Sequence, residues 1–268
     1  MASYSLPPAN RRLGQNFLID PNIVRKIVAL ADLTPDATVL EIGPGRGILT
    51  EALSQAAGRV LAVEVDPMLH RWLQERQSGW PNVEFVCGDV LDYPLEQLPP
   101  GTVVVANLPY YISTPILFRL LQERLRFPRM VLMLQEEVAD RLVAKPGTKD
   151  YGVLSVLAQY AAVIAKTFKV SANCFRPRPE VGSAVAVLRT KRQTVLRENE
   201  AAEFTKLVKA AFAHRRKTLI NSLRDEGYRP EVVMTVLTGM RIPLTTRAEA
   251  IELMDFIELT RRLTPSFV

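Results

Sequence analysis

The chain has 268 residues, with 34 Lys and Arg against 28 Asp and Glu and a formal net charge of +6. At 48% hydrophobic and 23% charged it has a globular composition, neither disordered nor membrane-embedded, sized for one large domain or one ordinary domain with a small companion. Two Cys and two His exclude a disulfide framework and a zinc site and fit a reduced, cytoplasmic setting. Along the chain, MASYSLPPANRRLG lacks the continuous apolar stretch of a signal peptide. Strands are predicted at Thr38–Ile42, 59–65, Val83–Cys87, 102–106 and 130–134. Amphipathic helices follow from about Ile48, Pro67, Ser113 and Glu136. Pro67 suits a first helical turn, where its missing N–H would be unpaired anyway. This rhythm predicts a doubly wound, mostly parallel sheet. The apolar run 153–165 contains Ser155, Gln159 and Tyr160 and is too short for a membrane span. Two late strands at 163–168 and 184–188 flank an Arg- and Pro-rich loop. Residues 190–200 read as a polar linker. Four helices are then expected, beginning near Ala201, Lys217, Pro230 and Arg247.

The charge is unevenly placed. Residues 1–140 hold 12 basic and 16 acidic groups, a net of −4; residues 141–268 hold 22 and 12, a net of +10. A basic half suggests a polyanionic partner, and a solubilising surface is the plain alternative.

Glu41-Ile-Gly43-Pro-Gly45-Arg-Gly47 follows the first of these strands and opens a helix. Glycines let the backbone approach a ligand closely, and a helix N-terminus offers unpaired N–H groups. Alone, the segment also reads as a tight structural turn or a dinucleotide loop, although its G-x-G-x-G spacing is not G-x-G-x-x-G. Glu64 ends the second strand, where a carboxylate can accept both ribose hydroxyls. Asp89 ends the third, where one can accept an adenine amino group. Ligands sit at the carboxyl ends of such strands, so Gly43, Glu64 and Asp89 would converge on one crevice. Together they suit S-adenosylmethionine better than a pyrophosphate-bearing dinucleotide.

Asn107-Leu108-Pro109-Tyr110 follows the fourth strand. An exocyclic amine of adenine or cytosine is a poor nucleophile, because its lone pair is conjugated into the ring. The Asn107 side-chain oxygen and the Leu108 carbonyl can hold its N–H groups and favour pyramidal geometry. Pro109 stiffens the turn, and Tyr110 offers a stacking face. A strand-ending turn is the plain alternative. Such motifs also serve DNA adenine and glutamine-side-chain methylases, so the tetrapeptide names a nitrogen and not a substrate.

Taken with Leu13-Gly-Gln-Asn-Phe-Leu18, Asn107-Leu-Pro-Tyr-Tyr-Ile-Ser-Thr114, Leu134-Gln-Glu-Glu-Val-Ala-Asp-Arg-Leu142, Tyr151-Gly-Val-Leu-Ser155, Phe175-Arg-Pro-Arg-Pro179 followed by Val181 and Ser183, and Arg215-Arg-Lys-Thr-Leu-Ile-Asn-Ser-Leu223, the chain closely resembles the KsgA/RsmA family of small-subunit ribosomal RNA adenine dimethyltransferases. The resemblance implies a Rossmann-like class I methyltransferase fold, a mostly parallel seven-stranded sheet with an antiparallel last strand, over residues 1–190. It implies a small all-α RNA-binding domain over 191–268. It implies transfer of four methyls from S-adenosylmethionine to two adjacent adenosines near the 3′ end of 16S rRNA, in an immature 30S subunit. By matching position the cofactor site falls on Asn16, Leu18, Gly43, Gly45, Glu64, Asp89 and Asn107. Tyr110 and Phe175 would sandwich the target adenine. Arg11, Arg12, Arg176, Arg178, Arg215, Arg216 and Lys217 are candidate phosphate contacts. No metal and no membrane are expected, and monomer is the default. An Erm-type 23S rRNA methylase and a non-catalytic nucleic-acid-binding factor on the same fold stay open as rivals.

Overall fold

The computed structural model describes residues 6–10, 13–192 and 195–263. Within them the chain divides into two units, one of residues 6–139 and 162–192, the other of residues 140–161 and 195–263. The first unit carries β1 (Phe17–Leu18), α1 (Pro21–Ala31), β2 (Thr38–Ile42), α2 (Ile48–Ala56), β3 (Arg59–Glu64), α3 (Pro67–Gln74) and β4 (Val83–Cys87). It continues with β5 (Val103–Asn107), α4 (Ser113–Gln122), β6 (Arg129–Gln135), the start of α5 (Glu136–Val143), β7 (Ala162–Val170), β8 (Phe175–Arg176) and β9 (Ser183–Thr190).

Seven strands form one sheet in the order β4-β3-β2-β5-β6-β9-β7. The pairs from β4 to β6 are parallel, and β9 runs antiparallel between β6 and β7. The last strand of the chain is thus the antiparallel one, as the resemblance implies, but it lies inside the sheet and β7 takes the edge. Strands β2, β3, β5 and β6 are near-continuous apolar runs because helices cover both faces of a parallel sheet. Val39, Leu53, Val60, Val105 and Val131 lie in one buried cluster. The chain leaves β2 toward β3 on one side and returns to β5 on the other. That reversal opens a crevice at the strand ends.

Asp20 caps α1 by accepting from the Asn22 N–H, with Pro21 in the first turn, and Ile23, Val24, Ile27 and Ala31 give the helix one buried face. This helix is not among the elements expected from the sequence. A two-stranded pair, β1 with β8, sets Leu18 opposite Phe175 and Phe17 opposite Arg176. Two residues carry no periodicity, so that pair has no local signal.

The second unit holds the end of α5, α6 (Val153–Ala161), α7 (Glu198–Phe212), α8 (Leu219–Asp225), α9 (Pro230–Gly239) and α10 (Leu253–Leu263). The four expected tail helices are present; the last begins at Leu253, after a short 3-10 turn at Ala248–Ala250. The expected break at 190/191 lies near the last of three crossings between units, and the two earlier crossings set residues 140–161 into the helical unit. The apolar run 153–165 splits, its first part a helix and its second part the start of β7. Tyr160 packs on Phe204 with ring centroids 4.6 Å apart, and the Tyr151 hydroxyl donates to the Ile251 carbonyl at 2.9 Å. These contacts draw residues 151–161 into the helical core. No helix among the described residues is long and apolar enough to cross a membrane.

Candidate active site

A crevice lies at the ends of β2 to β5, roughly 690 Å³ when the open solvent space at its mouth is counted. Its walls include Asn16, Gly43, Gly45, Glu64, Asp89, Asn107, Leu108, Pro109 and Tyr110. Four strand ends and an N-terminal segment therefore bring together most of the residues named from the sequence. Leu13, Gln15 and Phe17 add a wall from that segment.

Gly43 and Gly45 both have positive φ, at 68° and 60°. A Cβ on Gly45 would also come within 3.0 Å of the Phe17 ring, so the loop can close under Phe17 only without a side chain there. Arg46 stacks on the same ring, its guanidinium carbon 4.2 Å from the Phe17 ring centroid. It also donates to the Pro7 carbonyl at 2.6 Å.

Glu64 is 4% exposed, and each of its oxygens accepts one backbone N–H at 3.0 Å, from Gly45 and from Asp66. Burial raises its carboxyl pKa, and those two hydrogen bonds oppose the rise. Asp66 caps α3 with one oxygen and accepts from the Gln15 amide with the other at 2.9 Å. Gln15 in turn accepts from the Asn10 N–H. Asp89 accepts the Leu91 N–H with Oδ1. No Lys or Arg lines the crevice among the described residues. Its acidic lining suits a cationic ligand better than a pyrophosphate.

At the far end, Asn107 donates its Nδ2 to the Asn16 carbonyl at 3.2 Å. The side-chain oxygen is then the atom left to accept from a substrate. The Leu108 N–H is held by the Met133 carbonyl, fixing the turn that Pro109 stiffens.

Two expected residues are not on the walls. Leu18 and Phe175 face each other across the β1–β8 pair and lie inside the buried cluster, Phe175 at 0% exposure. Their pairing seats both side chains in the core, so neither offers a face to the crevice. Arg11 and Arg12 lie outside the described residues. Arg176, the last residue of β8, and Arg178 just beyond it are exposed, and Arg215, Arg216 and Lys217, all exposed, lie in the turn between α7 and α8. Sequence reasoning missed Gln15, Arg46 and Asp66. Asp66-Pro67 carries a helix-start signal, but nothing local announces a partner 51 residues away.

Residues 8–263 match the model of the ribosomal RNA adenine dimethylase family. The chain belongs to that family. It is 43% identical over 261 residues to the ribosomal RNA small subunit methyltransferase A of Moorella thermoacetica, covering 93% of this chain and 91% of that protein. The protein of the same name from Geobacillus kaustophilus is 43% identical over 268 residues, covering 96% and 92%. Among solved structures, a dimethyladenosine transferase from Plasmodium falciparum superposes with a TM-score of 0.79 at 27% identity, covering 91% of this chain and 95% of that one. The 23S rRNA methyltransferase ErmE gives 0.71 at 29% identity, covering 92% and 99%. The fold is that of the class I methyltransferases, and the rRNA adenine dimethylase family is a family of enzymes.

In this family member Glu41, which opens the Gly-rich segment, is fully buried. Burial, with the Glu64 charge adding to it, pushes its carboxyl up to about 8. The folded protein therefore keeps a proton that the unfolded chain releases in the ordinary carboxylate range. Stability falls as pH rises from that range to about 8. Melting temperatures taken across this window should decline for the wild type, and Glu41→Gln should flatten the slope. Phe175→Ala should cost about 3–5 kcal/mol in a urea titration, the usual effect of emptying a core aromatic site.

Proposed function

We propose that this protein is an S-adenosylmethionine-dependent 16S rRNA adenine N6,N6-dimethyltransferase. Its target is the pair of adjacent adenosines in the 3′-terminal hairpin loop of small-subunit rRNA, in an immature 30S subunit in the cytoplasm. The observation that carries the reading is the oriented Asn107 amide, standing in the same acidic crevice as Glu64 and Asp89. Family membership and the small-subunit names of the relatives support the substrate.

The crevice fits the cofactor by charge and by the bare backbone at Gly43 and Gly45. When bound, S-adenosylmethionine supplies an electrophilic methyl group. Each Glu64 oxygen has one lone pair engaged and keeps capacity for a ribose hydroxyl. Asp89 keeps Oδ2 for an adenine amino group. The Asn107 oxygen and the Leu108 carbonyl accept from the target amine, and Tyr110 provides the stacking face. Phe175 enters this reading as the side chain that seats β8. No side-chain base is required, because the amine loses its proton to solvent after transfer. The second transfer meets an amine with a single N–H, so the site must leave room for a methyl already present. The helical unit, with Arg215, Arg216 and Lys217, supplies phosphate contacts, and Arg176, Arg178, Arg11 and Arg12 add to them. The protein works as a monomer without a metal.

Labelled S-adenosylmethionine offered to small subunits from a strain lacking the modification should yield N6,N6-dimethyladenosine in their RNA alone. Large subunits and DNA, run alongside, should stay unlabelled. Asn107→Ala should lower the rate on the order of a hundredfold or more, the usual loss for a positioned hydrogen-bonding group at the reacting centre. The likeness to ErmE favours a second reading, an Erm-type enzyme, and label in large subunits would establish it. Cofactor binding without label in any RNA would make the protein a binding factor. Arg215→Ala with Arg216→Ala should weaken RNA binding and lower the salt slope by about two, one for each phosphate no longer neutralised.

A further inference from the structure

Ser183 is the first residue of β9 and is fully buried. Because β9 is antiparallel to β6, this residue lies opposite Gln135, at the carboxyl end of the parallel strands. Its hydroxyl is 2.5 Å from the Tyr110 hydroxyl, across 73 residues of sequence. Tyr110 is held at its other end as well, where Ser113 donates to its backbone carbonyl at 3.3 Å. A tyrosine ring fixed only at Cβ can swing about two side-chain torsions. A hydrogen bond at the far end of the ring removes that freedom. Ser183 is not on the crevice wall, so it reaches a ligand only through Tyr110. Burial also raises the phenol pKa, which keeps the hydroxyl protonated and able to donate.

We propose that Ser183 is a positioning residue for methyl transfer: by holding the Tyr110 hydroxyl it fixes the plane on which the target base stacks. The proposal rests on the function argued above. Pre-setting that plane places the amine before the reaction begins, and misplacement of a reacting group is costly in rate.

A double-mutant cycle tests it, with Ser183→Ala, Tyr110→Phe and both together. The readouts are kcat/KM for small-subunit RNA and the affinity for S-adenosylhomocysteine. Tyr110→Phe keeps the stacking ring and removes only the hydroxyl. Each single variant should lose about fivefold in kcat/KM, the worth of one buried hydrogen bond. The double variant should lose no more than the worse single one, and cofactor affinity should not move. Losses that multiply would show that Ser183 acts by packing and overturn the proposal, as would a silent Ser183→Ala. Should Ser183→Ala fail to fold, Tyr110→Phe decides alone, full activity overturning the proposal and a fivefold loss supporting it. Wild-type protein inactive on every RNA would instead overturn the functional reading, and the proposal with it.

Discussion

The Glu64 carboxylate ends β3 with one oxygen on the Gly45 N–H and the other on the Asp66 N–H. Burying a carboxylate is expensive unless its lone pairs are met, and here two backbone donors meet them. The same two bonds fix two other parts. Gly45 holds the Gly-rich loop in its left-handed turn, and Asp66 starts α3. The second oxygen of Asp66 then reaches Gln15, so the N-terminal segment is tied to the floor of the crevice through one charged chain of contacts. Charge-assisted bonds of this kind are stronger than neutral ones, which suits a link that must hold a short segment with little core of its own.

Gln15 and Asn16 are neighbours that face different tasks. Gln15 anchors the segment to Asp66 at one end, and the Asn16 carbonyl receives the Asn107 amide at the other. Position 107 therefore needs a side chain that donates on one side and accepts on the other. A carboxamide does both. An ionised carboxylate would set an oxygen against the Asn16 carbonyl and lose the orientation. Docking of the N-terminal segment and orientation of the Asn107 amide are thus the same event in this structure.

The strands, the Gly-rich loop, Glu64, Asp89 and the Asn107 turn were legible in the sequence, because each is a local pattern at a strand end. What was not legible depends on residues that meet only after folding. Ser183 and Tyr110, like Gln15 and Asp66, are pairs far apart in sequence. Leu18 and Phe175 read as site residues through the resemblance alone, yet each is an apolar side chain on a two-residue strand, and the core claims both. The run 153–165 was ambiguous for another reason. Short apolar stretches suit helix and strand alike, and only packing on Phe204 and the pairing of β7 with β9 separates its halves.

The basic excess of the second half is also less uniform than its count. Lys217 lies 2.5 Å from Asp225, and Arg224 and His214 approach the same carboxylate. The lysine and arginine pairs hold the carboxyl of Asp225 below its usual range and leave Lys217 partly neutralised. Arg215 gives one donor to the Lys149 carbonyl, but a guanidinium has five, so anchoring it there orients the rest without cancelling the charge. Within a run of four basic residues, folding thus sets His214 and the exposed Lys217 on the Asp225 carboxylate and leaves Arg215 and Arg216 off it. Arg215 and Arg216 carry most of the field a phosphate backbone would meet there, and Lys217 adds a partly offset charge.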